Sequence, residues 1–271
     1  KYIKNNEIKV KYDFLSFINK KPYGRLYPSN DKFNLCCMES GLRSYLAGPN
    51  YTYIDISNCH YNILRCLCKH FSIPHESIST YCDDRNKIVE EYKTSKADVC
   101  TIINNKNYKS DINFFKNIHE SVFGESGLIN KIKSHHYFKD LWDQKVKENE
   151  HNMEGKFISM VYQTFECLIV KKAMQYLSDC GFSVDSYIYD GLLIKNSDVP
   201  VNINKLNEHI NCEYLDFNIK TTFMLDKMDQ SQQLNDVLQR TLKDQKEEEK
   251  EEDFSEMSEY DIAANIIEEH K

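Results

Sequence analysis

No run of about 18 apolar residues occurs anywhere in the 271-residue chain, which excludes a membrane-spanning helix. No apolar stretch follows the first residues, Lys1-Tyr2-Ile3-Lys4, so a secretory leader is not expected. The ten cysteines include no C-x-x-C spacing. Cys36-Cys37 and Cys66-x-Cys68 are the only close pairs, which gives a structural zinc site little support. Several cysteines stand in apolar runs, Cys66 and Cys68 beside Leu64 and Leu67, and Cys167 beside Leu168. They read as reduced, buried thiols of an intracellular protein.

What is present suits a soluble globular body: 41% hydrophobic, 28% charged and 12% aromatic residues, enough for one compact core or two small lobes. The net charge of −7 misleads until it is divided. Residues 240–271 hold 12 acidic and 5 basic side chains, leaving the remainder balanced at 30 of each sign. Residues 1–50 are basic, with nine Lys or Arg against four Asp or Glu. Local charge, not net charge, sets the field at a groove, so such a body can still hold a phosphate backbone.

Apolar spacing at i, i+3 predicts a helical segment from Tyr12 to Ile18, followed by a turn-rich stretch, Lys21-Pro22-Tyr23-Gly24-Arg25-Leu26-Tyr27-Pro28. Tyr51-Thr52-Tyr53-Ile54-Asp55-Ile56, bounded by Gly48-Pro49-Asn50, reads as a strand. From Ile63 to Phe71 the apolar positions turn helical. Residues 74–152 read as a polar, mostly helical insertion, with helices expected over Asp84–Asn105, Asp111–Phe123, Leu128–Lys133 and Phe138–Lys147. Glu154 to Cys180 forms a long amphipathic helix, with Phe157, Met160, Val161, Phe165, Leu168, Ile169 and Met174 along one side, closed by Gly181. The apolar run Val184–Ile194, broken by Tyr189-Asp190-Gly191, reads as two strands joined by a tight turn. A helix over Ile203–Ile210 and a strand over Phe217–Leu225 complete the body. Beyond Asp229 the chain is rich in Glu, Lys and Gln, with a charge run from Lys246 to Asp253. Apolar periodicity resumes at Tyr260, Ile262, Ala263, Ile266 and Ile267, and a helix that resumes there with nothing to pack on suggests a piece cut from a longer protein.

Two aspartates draw attention. Asp55 ends a strand that is apolar on both sides, and Asp190 stands in the turn between two others. A charge in such surroundings is costly unless it meets a cation. Two carboxylates on adjacent strand ends can hold two magnesium ions about 3.5–4 Å apart, as in phosphoryl transfer. Aspartates at strand ends are common, however, and Asp-Gly is a favoured hairpin turn, so the pair alone does not decide.

The surrounding motifs resemble the family A DNA polymerases, in a short form similar to the polymerase domains fused to superfamily 3 helicases in virophages and giant viruses. Four stretches carry the resemblance in the family's order, over roughly residues 20–228. Tyr23-Gly24-Arg25-Leu26-Tyr27 followed by Arg43 resembles the Gly-Arg motif whose arginine grips the primer–template. Tyr53-Ile54-Asp55-Ile56-Ser57-Asn58-Cys59-His60 resembles the first palm motif. Gln163 to Met174 resembles the palm helix whose glutamine reads the minor groove. Tyr187-Ile188-Tyr189-Asp190-Gly191 is similar to the His-Asp motif of the catalytic hairpin.

The resemblance implies an α+β fold, a small antiparallel palm sheet with packed helices carrying a helical fingers insertion. It divides the chain into a Gly-Arg segment (1–50), a palm (51–73 and 153–229), fingers (74–152), and an acidic linker opening a helicase-associated domain (230–271). It implies two Mg2+ ions, with Mn2+ able to substitute, on Asp55, Asp190 and the Ile56 carbonyl. Primer–template DNA would meet Arg25, Arg43, Gln163 and Tyr189. A deoxynucleoside triphosphate would meet His60, Lys96, Cys100 and Asn104, with Lys96 also placed to protonate pyrophosphate.

There are departures. Tyr189 replaces a histidine, and Gly191 stands where cellular enzymes have glutamate. His60 takes the place of the glutamate that screens sugars; its bulk favours deoxynucleotides. Tyr92 stands where the fingers helix should carry arginine, with Lys93 and Arg85 as nearby cations. Two rival functions share these residues: an RNA-synthesising polymerase or primase, and an inactive polymerase-shaped module that binds DNA and loads a helicase.

Overall fold

A computed structural model describes residues 10–28, 35, 36, 38, 40–212 and 215–219, together with the backbone of two short strands, β1 (Ile3–Lys4) and β2 (Glu7–Ile8). The chain divides into two compact units, residues 1–37 with 50–221, and residues 38–49 with 222–271. Of the second unit, the structure describes residues 38 and 40–49, which include helix α1 (Ser40–Ala47). The expected strand beyond Ile219 and the expected terminal helix lie outside the described residues.

The first unit is α+β. Its N-terminal segment is a hairpin, not a helix followed by turns. Strand β3 (Tyr12–Ile18) pairs antiparallel with β4 (Lys21–Pro28). In β3, exposure alternates with period two: Asp13, Leu15 and Phe17 face outward, the signature of a half-covered strand. The joining turn, Asn19-Lys20, has both residues at positive φ (50° and 66°), the geometry that matches strand twist in two-residue hairpins. The register then shifts: Phe14 faces Leu26 and Ser16 faces Tyr23, so Gly24 and Arg25 together oppose the single residue Leu15. This is a β-bulge with glycine at φ +81°, and bulges of this kind re-aim the side chain that follows.

A four-stranded antiparallel sheet lies at the centre of the unit, in the order β6-β7-β5-β8. Its strands are β5 (Tyr51–Ile56), β6 (Val184–Ile188), β7 (Gly191–Lys195) and β8 (Phe217–Ile219). The expected strand at residues 51–56 and the hairpin at 184–194 are therefore present. β5 leads into α2 (Cys59–His70), which begins four residues earlier than its apolar spacing indicates.

Residues 76–148 form six helices: α3 (Glu76–Asp83), α4 (Arg85–Glu91), α5 (Lys96–Asn104), α6 (Asn113–Phe123), α7 (Leu128–Ile132) and α8 (Lys139–Glu148). The single helix expected over Asp84–Asn105 is two. Lys93 adopts φ 47°, and Ser95 with Asp98 forms a reciprocal capping box that restarts the chain as α5. The long helix is α9 (Met153–Asp179), closed by Gly181 at φ +84°. α10 (Ile203–Ile210) follows, as its periodicity predicts. The core joins Ile54 and Ile56 of β5, Leu64 and Cys68 of α2, Phe157, Val161, Tyr162 and Val170 of α9, and Leu192 of β7. Among the described residues no helix is long and apolar enough to cross a membrane.

Gly191 is needed for close approach, not for the turn. Asp55 pairs with Gly191 across β5 and β7. A Cβ there would lie 2.5 Å from the Tyr53 ring and 2.7 Å from the Ile54 carbonyl oxygen. The Tyr53 side chain can shift, whereas the carbonyl is fixed in the sheet. Gly191→Ala is therefore expected to destabilise the protein by about 2 kcal/mol, as overpacking in a close-packed site does. Urea denaturation measures this, and an unchanged midpoint would refute the β5–β7 register.

Candidate active site

The register that sets Asp55 opposite Gly191 also brings Asp190 to the end of β5, where its carbonyl accepts the Ile56 amide at 3.1 Å. The two aspartates and the Ile56 main chain thus gather at one end of the central sheet. Asp55 is buried and Asp190 half-buried. Tyr189, in the two-residue turn between β6 and β7, adopts φ 53°, a conformation that an aromatic residue adopts only under constraint. The Arg25 guanidinium lies over its ring, 4.9 Å from the centroid.

Arg25 is aimed here by the β4 bulge. The Gly24 amide donates to the Thr164 hydroxyl at 2.9 Å, which lays β4 along α9. Gln163 Oε1 lies 3.5 Å from where a Gly24 Cβ would be, so the Gly-Arg pair and the glutamine are neighbours. Arg25 donates from Nε to Glu166 Oε1, and from Nη2 to Glu166 Oε2 at 2.7 Å. His60, in the first turn of α2, donates from Nε2 to the same Oε2 at 3.0 Å. Arg25 Nη2 and His60 Nε2 stand 3.4 Å apart because both are donors to one oxygen. The Cys59 thiol completes the set at 3.8 Å.

Glu166 is fully buried. Burial by itself pushes its carboxyl up, but the hydrogen bonds from His60 and Arg25 and the guanidinium charge outweigh it, holding the pKa below the ordinary 4.5. Burial would lower Arg25, yet Glu166 and then Asp190 raise it further above its ordinary value, so this cation is permanent. The Cys59 thiol is pushed well up, first by burial and then by Glu166 and Asp190, so it stays protonated and is no nucleophile. Sequence reasoning missed Glu166, although a signal existed. The residue stands on the buried stripe of α9 with Tyr162, Val170, Ala173 and Leu177, where a charge requires a partner.

The loop after Asp55 is braced from the helical insertion. Asn58, at φ 47°, donates to the Cys82 carbonyl at 3.3 Å and accepts from Arg85 Nη1 at 2.9 Å. Asn62 donates to the Ser57 carbonyl at 2.7 Å, and Arg65 bridges Asn62 to Asp83 at 2.9 and 2.7 Å.

Lys96, Cys100 and Asn104 recur every four residues along α5, beside its buried Val99, Ile102 and Ile103. Lys96 is exposed. Burial pushes the Cys100 thiol up, while Lys96 and Arg85 both pull it down. Asn104 is turned inward: its amide donates to the Cys100 carbonyl at 2.9 Å. It also lines a cavity of about 380 Å3 with Lys145, Asn152, Lys156, Ser159 and Met160. Tyr92 stacks on Phe114 and packs against Phe115, so it serves the interior of the insertion. Arg43 belongs to the second unit, on α1, with Nη1 reaching the Met38 carbonyl at 3.4 Å.

Among the described residues no group of three or more His, Cys, Asp or Glu side chains could hold a metal. Asp55 and Asp190 offer two carboxylates at one sheet end, and magnesium takes one or two carboxylates and completes its shell with water and phosphate oxygens. The chain matches no protein-family model and no curated protein.

The Glu166 pairing has a testable pH dependence. With the folded-state value depressed, its stabilisation is present in full above about pH 4.5 and is lost as pH falls from there through the lower folded-state value. Glu166→Gln is expected to cost about 3 kcal/mol at pH 7, the low end for breaking a buried ion pair. The gap from wild type should narrow by pH 3. Urea denaturation at both pH values tests this, and an equal gap at each would refute an ionised pairing.

Proposed function

We propose that the chain is the DNA-directed DNA polymerase domain of a viral-type polymerase–helicase replication protein. The observation that carries this reading is the convergence of Asp55, Asp190 and the Glu166-anchored Arg25 at one end of the antiparallel sheet, with Gln163 beside Gly24. In this reading the sheet with α2 and α9 is a polymerase palm, and the helices of residues 76–148 are its fingers. The residues beyond 230 open a domain leading to a superfamily 3 helicase.

Asp55 and Asp190, with the Ile56 carbonyl, would hold magnesium, which supplies Lewis-acid activation of a primer hydroxyl and charge neutralisation on the leaving pyrophosphate. The protein's own groups do the rest. Arg25 offers the guanidinium edge that Glu166 leaves unused, and Gln163 offers its amide. Together with Tyr189 they would hold the primer–template duplex without reading its sequence. Lys96, joined by Arg85 from α4, binds the triphosphate, and a proton from Lys96 can pass to pyrophosphate as it leaves. Arg85 supplies the positive charge that Tyr92 cannot. Cys100 and Asn104 lie along the same edge of α5. His60 stands where the sugar of the incoming deoxynucleotide must pass.

Primer extension on a DNA template with Mg2+ or Mn2+ tests the reading. Wild type is expected to extend the primer. Asp55→Asn and Asp190→Ala each remove several kcal/mol of transition-state stabilisation, a loss of about a thousandfold or more in rate. Ribonucleotide incorporation as ready as that of deoxynucleotides would favour an RNA-synthesising enzyme. No extension with either metal, alongside retained DNA binding, would leave a binding module that loads the helicase.

A further inference from the structure

A buried carboxylate that holds the sugar-facing side chain is a selectivity device as well as a structural one. We propose that Glu166 is the positioning residue for sugar discrimination: it fixes the His60 ring across the 2′ position of the incoming nucleotide, so that anchoring, more than bulk, excludes the ribose hydroxyl. This rests on the polymerase reading above.

A histidine ring turns about two torsions, and a ring free to swing aside cannot reject a single oxygen. His60 has lost both freedoms. Its Nε2 is tied to Glu166 Oε2 at 3.0 Å, and its face lies against Tyr162, with centroids 5.5 Å apart and planes at 37°. Tyr162 is itself fully buried. Glu166 cannot yield either. Its side chain has no exposure to solvent, and both its oxygens are occupied, Oε1 by Arg25 Nε and Oε2 by Arg25 Nη2, His60 and Cys59. An ionised carboxylate accepts all four without donating. Glutamine in its place would turn an NH2 group toward at least one donor. The His60 side chain keeps 23% of its exposure, so the anchored ring still presents an edge outward. A site that discriminates through a fixed obstacle loses that power when the obstacle can move.

The test compares kcat/KM for a deoxynucleotide and the matching ribonucleotide, on one primer–template, for wild type, Glu166→Gln, His60→Phe and the double variant. Phenylalanine keeps the bulk of the ring but cannot bond Glu166. Each single variant is expected to lower the deoxy/ribo ratio at least tenfold. The double variant should be no less selective than His60→Phe alone, the non-additivity of two residues acting as one device. A ratio within twofold of wild type in His60→Phe overturns the proposal, because bulk then suffices; this variant decides alone if Glu166→Gln does not fold. A wild-type enzyme that extends with both sugars equally also overturns it and leaves a template-directed polymerase that makes RNA as readily as DNA. No extension by wild type overturns both.

Discussion

Glu166 has no exposure to solvent, so its charge must be balanced from within; Arg25 provides that balance, and His60 fills a further lone pair. The effective cost of burying a carboxylate is several kcal/mol, offset only when geometry is good and the remaining lone pairs are filled. Here the guanidinium meets it with two parallel bonds, the strongest arrangement available to a carboxylate. The consequence is topological. Residues 141 and 106 positions apart in the chain are fixed to one side chain, so β4, the start of α2 and the middle of α9 cannot separate without exposing an unbalanced charge. Arg25 carries this constraint outward to the Tyr189 ring and the Asp190 charge.

The relation between the two aspartates depends on a second constraint, strand register. Asp55 lies on β5, paired on one side with Gly191 of β7 and on the other with Asn218 of β8. A slip of one residue would turn every β5 side chain to the opposite face. The missing side chain at Gly191 lets Tyr53 and the Ile54 carbonyl close over β7, which works against such a slip. Past Asp55, the hydrogen bonds of Asn58 to Cys82 and Arg85, and of Arg65 to Asp83, tie the loop to α3 and α4. The helical insertion therefore buttresses the aspartate end of the sheet and is not merely appended to it.

Much of this frame was legible because it rests on strong local periodicity. β5 announces itself through β-branched and aromatic residues, α9 through its apolar stripe and closing glycine, and the β6–β7 hairpin through a broken apolar run. The β3–β4 hairpin was not legible. A seven-residue segment with Tyr12, Phe14 and Ile18 fits a short helix and a half-buried strand equally well. Its turn, Asn19-Lys20, also lacks the glycine that usually marks a two-residue hairpin. Pro22 and Pro28 pointed to turns, yet proline is tolerated at an edge, and these strands form a two-stranded sheet of their own. Of the site, the aspartates could be singled out because each ends a strand or fills a turn, and the Gly-Arg pair through its motif, while the bulge that aims Arg25 emerges only in the fold. The role of Glu166 could not, because its meaning lies in partners that only the tertiary fold brings near.

The same distinction separates the two halves of the candidate site. The aspartate half is fixed by main-chain pairing, which tolerates little variation in geometry. The half proposed to face the nucleotide, on α5, depends on side chains projecting from a helix whose only cation is Lys96. Counted along α5 alone, that is one charge against the several carried by a triphosphate. Counted in space, it is more. Arg85 is anchored by Asn58, three residues beyond Asp55, and both it and Lys96 act on the Cys100 thiol. Holding Arg85 by a hydrogen bond to the loop beside Asp55, in place of a second cation on α5, makes its position a consequence of the strand that carries the aspartate. In the proposed polymerase, triphosphate grip and metal site would then share one mechanical foundation, and the aromatic at position 92 could be released to pack against Phe114 and Phe115.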